Sequence, residues 1–379
     1  MSTSSTVLRP PLTTTLNNQP SIPWRKPNVR HTSNELYVDL IETLSVVLAP
    51  SGKPISARAN GSIVFTAKIS GIPDILLSLS APGGSSSQKS SGIARTMSLP
   101  SFHPCVRLAR WKERPGEVSF VPPDGKFMLA GYEVDLLPYS FMDEQLPTQS
   151  KAASLFLPAS VDLRAGLGPQ GLDFEAKLIL NTDFPGVAKP DRPARPGAGR
   201  AASSMNAPFS FGGPHTGTTG APTLEAVTVA IQFPADVRSV TDSRPSRGDA
   251  QFDVRSKILE WKVPTGARDG SIAGTATLTG TVAGPLSQAD QPEDPTMHEY
   301  YGEEMGVAPP TKVAKKGLMP ASITTSFTVK GWLPSGIKVD ALMVDTKKSK
   351  GLGEGVRPYK GVKYICVSKN GVERRATMS

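Results

Sequence analysis

Short apolar runs rich in Val, Ile, Leu and Thr, each closed off by Gly, Pro, Ser or Asn, recur from end to end of this 379-residue chain, and no stretch sustains a 3.6-residue apolar period. An amphipathic helix needs that period, whereas a half-buried strand needs only alternation over a few residues. The pattern therefore favours an all-β fold of packed antiparallel sandwiches. Its 35 glycines and 36 prolines require long loops but fall short of the density that abolishes folding.

Two groups of strands are predicted. The first lies at 36–48, 61–69, 75–79, 105–111, 118–120 and 126–134; the second at 154–161, 172–182, 224–233, 250–263, 271–282 and 323–329. Residues 337–376 return to short strands around KGVKYICV. The segment 81–100, with PGGSSSQKSSG inside it, reads as a flexible surface loop. Residues 1–21, rich in Ser, Thr, Asn and Pro, read as a disordered lead-in. The stretches 188–221 and 286–320 lack the apolar content that offsets ordering entropy, and are predicted as mobile insertions.

Composition narrows the function. The net charge is +9, from 42 basic and 33 acidic residues, but the basic residues gather only modestly, at 312–316 and 347–350. Aromatics are 6% and do not interleave with those runs, which speaks against nucleic-acid binding. Two cysteines, Cys105 and Cys366, make no disulfide framework and read as small buried hydrophobes in a reducing compartment. The first twenty residues hold no apolar signal core and no run is long enough to span a bilayer, so the expectation is a cytosolic protein that meets membranes peripherally.

Enzyme chemistry finds little support. His31, His103, His215 and His298 lie far apart, none at metal-ligand spacing, and each reads as a satisfied or solvated side chain. There is no GxSxG elbow and no GxxxxGK[ST] loop. GLGPQG, with Gly166, Gly168 and Gly171, has the form of a dinucleotide fingerprint but leads into the strand-like LDFEAKLIL, so it reads as a turn. Gly83 and Gly84 lack the helix that would make a phosphate cradle. No cofactor and no metal are expected.

Several segments resemble one family. IPWRKPNVRHTSNELYVDLIETLSVVLAPSGKPISARANGSIVFTAKISGIPDILLSLS resembles the opening strands of the mu homology domain of clathrin-adaptor medium chains. SFHPCVRLARW followed by VSFVPPDGKFMLAGYEV resembles its most distinctive stretch, and LPSGIKVDAL and PYKGVKYICV resemble its last strands. Within the family, IPWR, SFHPC and PYKGVKY are most similar to the mu subunit of adaptor complex three. The resemblance implies two immunoglobulin-like β-sandwich subdomains, one at 22–136 and 334–379, the other, at 137–333, inserted into it. Medium chains of this family begin with a longin-like domain. Nothing resembling it precedes Ile22, so a fragment, a truncated product or a stand-alone domain is expected, which leaves assembly with other adaptor subunits open.

The resemblance also implies a partner. Family members bind tyrosine-based sorting signals, Tyr-x-x-Φ with Φ a bulky apolar residue, in the tails of membrane cargo travelling from Golgi or endosome to lysosome or vacuole. The peptide adds as an extra strand, and residues three apart on a strand point to opposite sides, so the reader needs one pocket on each face. Carried over residue by residue, Asp39 accepts the signal tyrosine hydroxyl, Tyr37 walls that pocket, Lys363 flanks the ring and Gly361 belongs to the same pocket. Leu36, Val38, Val339, Leu342 and Val362 match the Φ pocket. Gly361 stands where complexes one and two carry tryptophan, and Thr66 where some relatives carry lysine, so affinity is expected on the order of micromolar or weaker. Two rivals are a mu-like scaffold without signal binding, and an enzyme on a sandwich scaffold that a bound metal or turnover would reveal.

Overall fold

ELYVDLIETLSVVL alternates strictly, and as strand β1 (Glu35–Leu48) it turns every second side chain, from Leu36 to Leu48, into the interior. The computed structural model describes residues 22–82, 89–137, 155–186, 221–265, 273–285, 315–353, 355–368 and 371–378. After β1 come β2 (Pro54–Lys68), β3 (Ile72–Ser80), helix α1 (Lys89–Thr96), β4 (Ser98–Phe102), helix α2 (Leu108–Glu113), β5 (Glu117–Phe120) and β6 (Gly125–Asp135). A second group follows: β7 (Ala159–Leu167), β8 (Asp173–Leu180), β9 (Thr223–Gln232), β10 (Ser239–Pro245), β11 (Asp249–Asp253), β12 (Ile258–Val263), β13 (Gly274–Ala283) and β14 (Ser322–Lys330). The chain closes with β15 (Lys338–Lys350), β16 (Tyr359–Val367), β17 (Val372–Arg375) and β18 (Thr377–Met378).

One large sheet has the order β11-β12-β9-β14-β16-β1-β2-β6-β4, with β17 continuing the line of β16 between β1 and β14. Two smaller sheets, β10-β13-β8-β7-β18 and β15-β3-β5, complete the sandwiches. Each small sheet contributes to a different core. Leu36, Val38 and Leu40 pack with Phe65, Ile75, Leu77 and Phe120 in one; Leu44, Val46 and Leu48 pack with Phe174, Leu178, Ile231 and Trp261 in the other. A fully buried aliphatic side chain contributes about 1.5–3 kcal/mol, so both halves of β1 are strongly held.

Between Leu40 and Leu44 the inward column carries a carboxylate instead. Glu42 is fully buried and accepts hydrogen bonds from Tyr132 Oη at 2.8 Å, from the Ser335 amide at 3.1 Å and from the Ser335 hydroxyl. Burial pushes its carboxyl above the usual range, and the hydrogen bonds from Ser335 and Tyr132 oppose that. Gly61 is required here: a Cβ would lie 2.1 Å from the Tyr132 ring.

The N-terminal segment is latched by hydrogen bonds rather than by a strand. Trp24 Nε1 donates to Val121 O at 2.8 Å, and the Arg25 guanidinium, 2% exposed, donates to Gly71 O at 2.6 Å, Pro122 O at 3.0 Å and Ile69 O. His31 meets Asp124 at 2.8 Å. Thus IPWR and VPPD, far apart in sequence, hold one another.

Two expectations are corrected. The predicted loop at 81–100 contains α1 and the first residues of β4, because Ile93 and Met97, four apart on one helical face, are buried in the first core; residues 83–88 lie outside the described residues. The predicted strand at 105–111 is a single Val106–Phe120 bridge followed by α2, whose Leu108, Arg110 and Trp111 are not buried and so exert no strand-like alternation. Smaller differences are that the strand expected at 154–161 is β7, displaced toward 167, and that 250–263 is a hairpin of β11 and β12. β10 carries no apolar signal and escaped sequence reading. GLGPQG is the β7–β8 turn, with φ of +80°, +77° and +67° at Gly166, Gly168 and Gly171. The lead-in 1–21, and the insertions 188–221 and 286–320 as far as 220 and 314, lie outside the described residues. At the end of the second insertion a 3-10 turn, Lys315–Leu318, leads to buried Met319.

Candidate functional site

PYKGVKYICV places aromatic and basic residues on alternate sides of a strand that has an open flank. β16 pairs in parallel with β1 along its whole length, Glu35 opposite Tyr359 through Thr43 opposite Val367. On its other side the ladder with β14 runs only from Ile365 to Val367, and no described strand pairs with that side before Ile365. Main-chain direction follows from parity. The Tyr359 amide donates to Asn34 O on the β1 side, while Tyr364 O accepts from the Gly331 amide on the opposite side. The amide and carbonyl of Val362 therefore face the open flank, where an extended segment can pair with them.

The outer face of the sheet presents two cross-strand rows, Thr66–Tyr37–Gly361 and Val64–Asp39–Lys363. Tyr37 is half-buried, its hydroxyl donates to Glu35 Oε2 at 3.2 Å, and its ring lies 5.8 Å from that of Tyr359 at a tilt of 53°. Partial burial, then the neighbouring Glu35 carboxylate, push that hydroxyl above its ordinary value and keep it a neutral donor. Asp39 is half-buried and makes no hydrogen bond or ion pair among the described residues; exposed Lys363 is its register partner. This face thus offers an uncommitted carboxylate beside two aromatic rings.

Gly361 has a local reason. A Cβ there would sit 2.7 Å from Cδ1 of Tyr37, so the tyrosine ring lies across the glycine and occupies the space that a larger residue would claim. Gly361→Ala should cost about 1–3 kcal/mol through overpacking. In a Tyr37→Ala background the same change should cost less than about 0.5 kcal/mol, as a denaturant double-mutant cycle would read. Equal costs in both backgrounds would remove the ring contact as the reason for glycine.

The inner face is apolar. Leu36, Val38 and Leu342 are fully covered within the first core, and Val339 and Val362 pack at its margin. Two side chains flank Val362 on the same face and reach β15: Lys360 Nζ donates to Leu342 O at 2.6 Å, and the Val339 amide donates to Tyr364 Oη at 2.9 Å. Burial lowers the Lys360 ammonium and raises the Tyr364 hydroxyl. Of the nine residues singled out from sequence, seven fall on the two faces of the paired strands β1 and β16, while Val339 and Leu342 come from β15 of the smaller β15-β3-β5 sheet and join the inner face through the first core. Four more that sequence reading passed over, Glu35, Tyr359, Lys360 and Tyr364, complete the surroundings; the alternation of YKGVKY about its glycine was the signal that held three of them.

Elsewhere, His103 Nδ1 accepts from the Cys105 amide at 3.1 Å and its ring stands edge-on to Phe127. Cys105 and Cys366 are buried, and desolvation pushes the Cys105 thiol up to about 12. His215, His298, Gly83 and Gly84 lie outside the described residues. Among the described residues no cluster of His, Cys, Asp and Glu could hold a metal ion, and no helix is long and apolar enough to cross a membrane. A cleft of about 650 Å³ beside β3 and β15 has its charges already paired, Arg107 with Asp74, Lys348 with Asp345, and Arg110 with Glu117 outside the lining.

Comparison with known proteins agrees with this architecture. The model of the adaptor complexes medium subunit family matches residues 22–375. AP-3 complex subunit mu-2 of Homo sapiens is 28% identical over 346 residues, covering 91% of this chain and 58% of that protein. AP-3 complex subunit mu-1 of Bos taurus is 25% identical over 347 residues, covering 91% of this chain and 59% of that protein. The chain thus spans a little under three fifths of the length of these relatives. A homology model of the full-length AP-3 complex in an intermediate open conformation shares the fold, with a TM-score of 0.50 and 20% identity over 90% of this chain and 68% of that one.

Proposed function

This chain belongs to the adaptor complexes medium subunit family, and on that footing we propose that it serves vesicle traffic as a binding module rather than an enzyme, and that it recognises Tyr-x-x-Φ signals in the tails of membrane cargo. The observation that carries the reading is the open flank of β16 ahead of Ile365, with an uncommitted carboxylate on one face and an apolar margin on the other. A peptide strand paired to Val362 sends its tyrosine to the outer face and its Φ residue, three positions on, to the inner face. The tyrosine hydroxyl donates to Asp39, with Tyr37 and Tyr359 as aromatic walls, Gly361 below and Lys363 beside it. The Φ side chain meets Val362 and Val339 first, above Leu36, Val38 and Leu342. The two-subdomain division, assembly with other adaptor subunits, peripheral attachment to Golgi or endosomal membranes and delivery to lysosome or vacuole belong to the same proposal.

Asp39 decides it. A charge-assisted hydrogen bond is worth about 1.5–3 kcal/mol, so Asp39→Ala should weaken a Tyr-x-x-Leu peptide at least roughly tenfold in calorimetric titration. The same variant should bind a Phe-x-x-Leu peptide as wild type does, since no hydroxyl is lost, and Leu→Ala in the peptide should abolish measurable binding by either protein. If Asp39→Ala retains full affinity for the tyrosine peptide, the pocket is misplaced; if wild type binds neither peptide, a mu-like scaffold without signal binding is the better account.

A further inference from the structure

We propose that Ser98 is a phosphorylation site for a basophilic serine kinase, and that its phosphate loosens the outermost strand β4 by repulsion from Glu133. The sequence RTMSLP sets Arg95 three residues ahead of Ser98, a leucine directly after it and Pro100 beyond. Arg-directed kinases bind a cation at that distance and favour an apolar residue after the acceptor. Six serines or threonines in the chain follow an arginine at this spacing: Ser33, Ser98, Ser203, Thr241, Ser271 and Thr377.

Structure separates the described ones. Only Ser98 and Thr377 precede a large apolar residue, Ser33 and Thr241 being followed by Asn34 and Asp242. The arginine ahead of Thr377 is Arg374, which is held by Asp162 and by Pro50 O and is only 19% exposed in its side chain. Arg95, by contrast, is exposed in the last turn of α1, Ser98 is exposed, and Leu99 is 79% exposed. All three determinants face solvent together.

The backbone there is also loosely held. Among the described residues β4 lies at the edge of the large sheet and pairs only with β6. Ser98 sits opposite Glu133, but the next rung is Ser101 opposite Gly131, so Leu99 and Pro100 form a bulge in which Leu99 adopts φ +46°. That left-handed conformation is strained for a leucine, and one isolated rung precedes it. A kinase needs the last turn of α1 and this rung to extend, and little pairing opposes the change.

In the transfer, Ser98 Oγ bonds to the γ-phosphorus of ATP, the bond from that phosphorus to the β–γ bridging oxygen breaks, ADP leaves, and the hydroxyl proton passes to the kinase's base. The product carries about −1.5 to −2 charges. Directly opposed residues of an antiparallel pair share a face, so the phosphate stands beside the Glu133 carboxylate with Asp135 two residues on. Like charges at that rung oppose pairing, and the bulge confines the loss to the start of β4.

The test uses the intact protein, the catalytic domain of a calmodulin-dependent kinase and Mg-ATP. Tandem mass spectrometry should place phosphate on Ser98, and Arg95→Ala should slow its addition at least tenfold. Hydrogen exchange of the phosphorylated chain should show amides of 98–102 exchanging at least tenfold faster while β1 and β16 are unchanged, and Glu133→Gln should reverse most of that gain. Phosphate confined to other residues, an Arg95→Ala rate equal to wild type, or phosphorylation of a free 89–104 peptide but not of the folded chain would overturn the site. Unchanged exchange after stoichiometric modification would overturn its effect on β4.

Discussion

Arg25→Ala should lower the unfolding free energy by about 3–5 kcal/mol, read as a shift in urea midpoint at constant slope by tryptophan fluorescence. The guanidinium is almost wholly buried and serves three main-chain carbonyls, those of Ile69, Gly71 and Pro122. Each carbonyl left without a donor inside the protein costs about 1–3 kcal/mol. Arg25→Lys should restore less than half of the loss, because one ammonium cannot reproduce the planar fork that reaches all three. A loss below about 1 kcal/mol for the alanine variant would mean that water replaces the guanidinium, and that the IPWR segment is an ornament rather than a latch.

Glu42→Ala should cost a comparable amount, about 3–5 kcal/mol, because it orphans the Tyr132 hydroxyl and the Ser335 amide and leaves a cavity between the cores. Glu42→Gln keeps the shape, and should reveal the charge through pH. The folded carboxyl holds its proton to a higher pH than the unfolded chain does. Between the ordinary glutamate value, about 4.3, and the raised folded value, the native state therefore binds more protons. Stability due to this group is fully present below the unfolded value and falls as pH rises through that window. Subtracting the Gln variant's curve of stability against pH from that of wild type should expose this fall. A difference that rises with pH would show that the hydrogen bonds outweigh burial.

How much of this was legible in the sequence depends on whether a residue's role is local. β1 was legible because its alternation is uninterrupted, and β16 because YKGVKYICV repeats apolar and polar positions beside Gly361. Arg25 and Glu42 were not, since a lone charge in a polar-looking motif gives no hint that a distant carbonyl or hydroxyl will close on it. α1 is hidden because the run PGGSSSQKSSG leads into it, and only Ile93 and Met97 betray a buried face. The site residues come from family resemblance; the placement of the seven on β1 and β16 on two faces is a matter of register, which follows from pairing between segments more than 300 residues apart, and Val339 and Leu342 arrive from a second sheet.

β1 gives its first half to one core and its second half to the other, with Glu42 at the seam. No cut through the polypeptide can release either sandwich intact, since the dividing line crosses a single fourteen-residue strand. The two therefore share one fate on heating. Calorimetry should record one endotherm whose van't Hoff and calorimetric enthalpies agree, and a substitution deep in the β7–β8 sheet should lower the temperature at which the β16 flank melts.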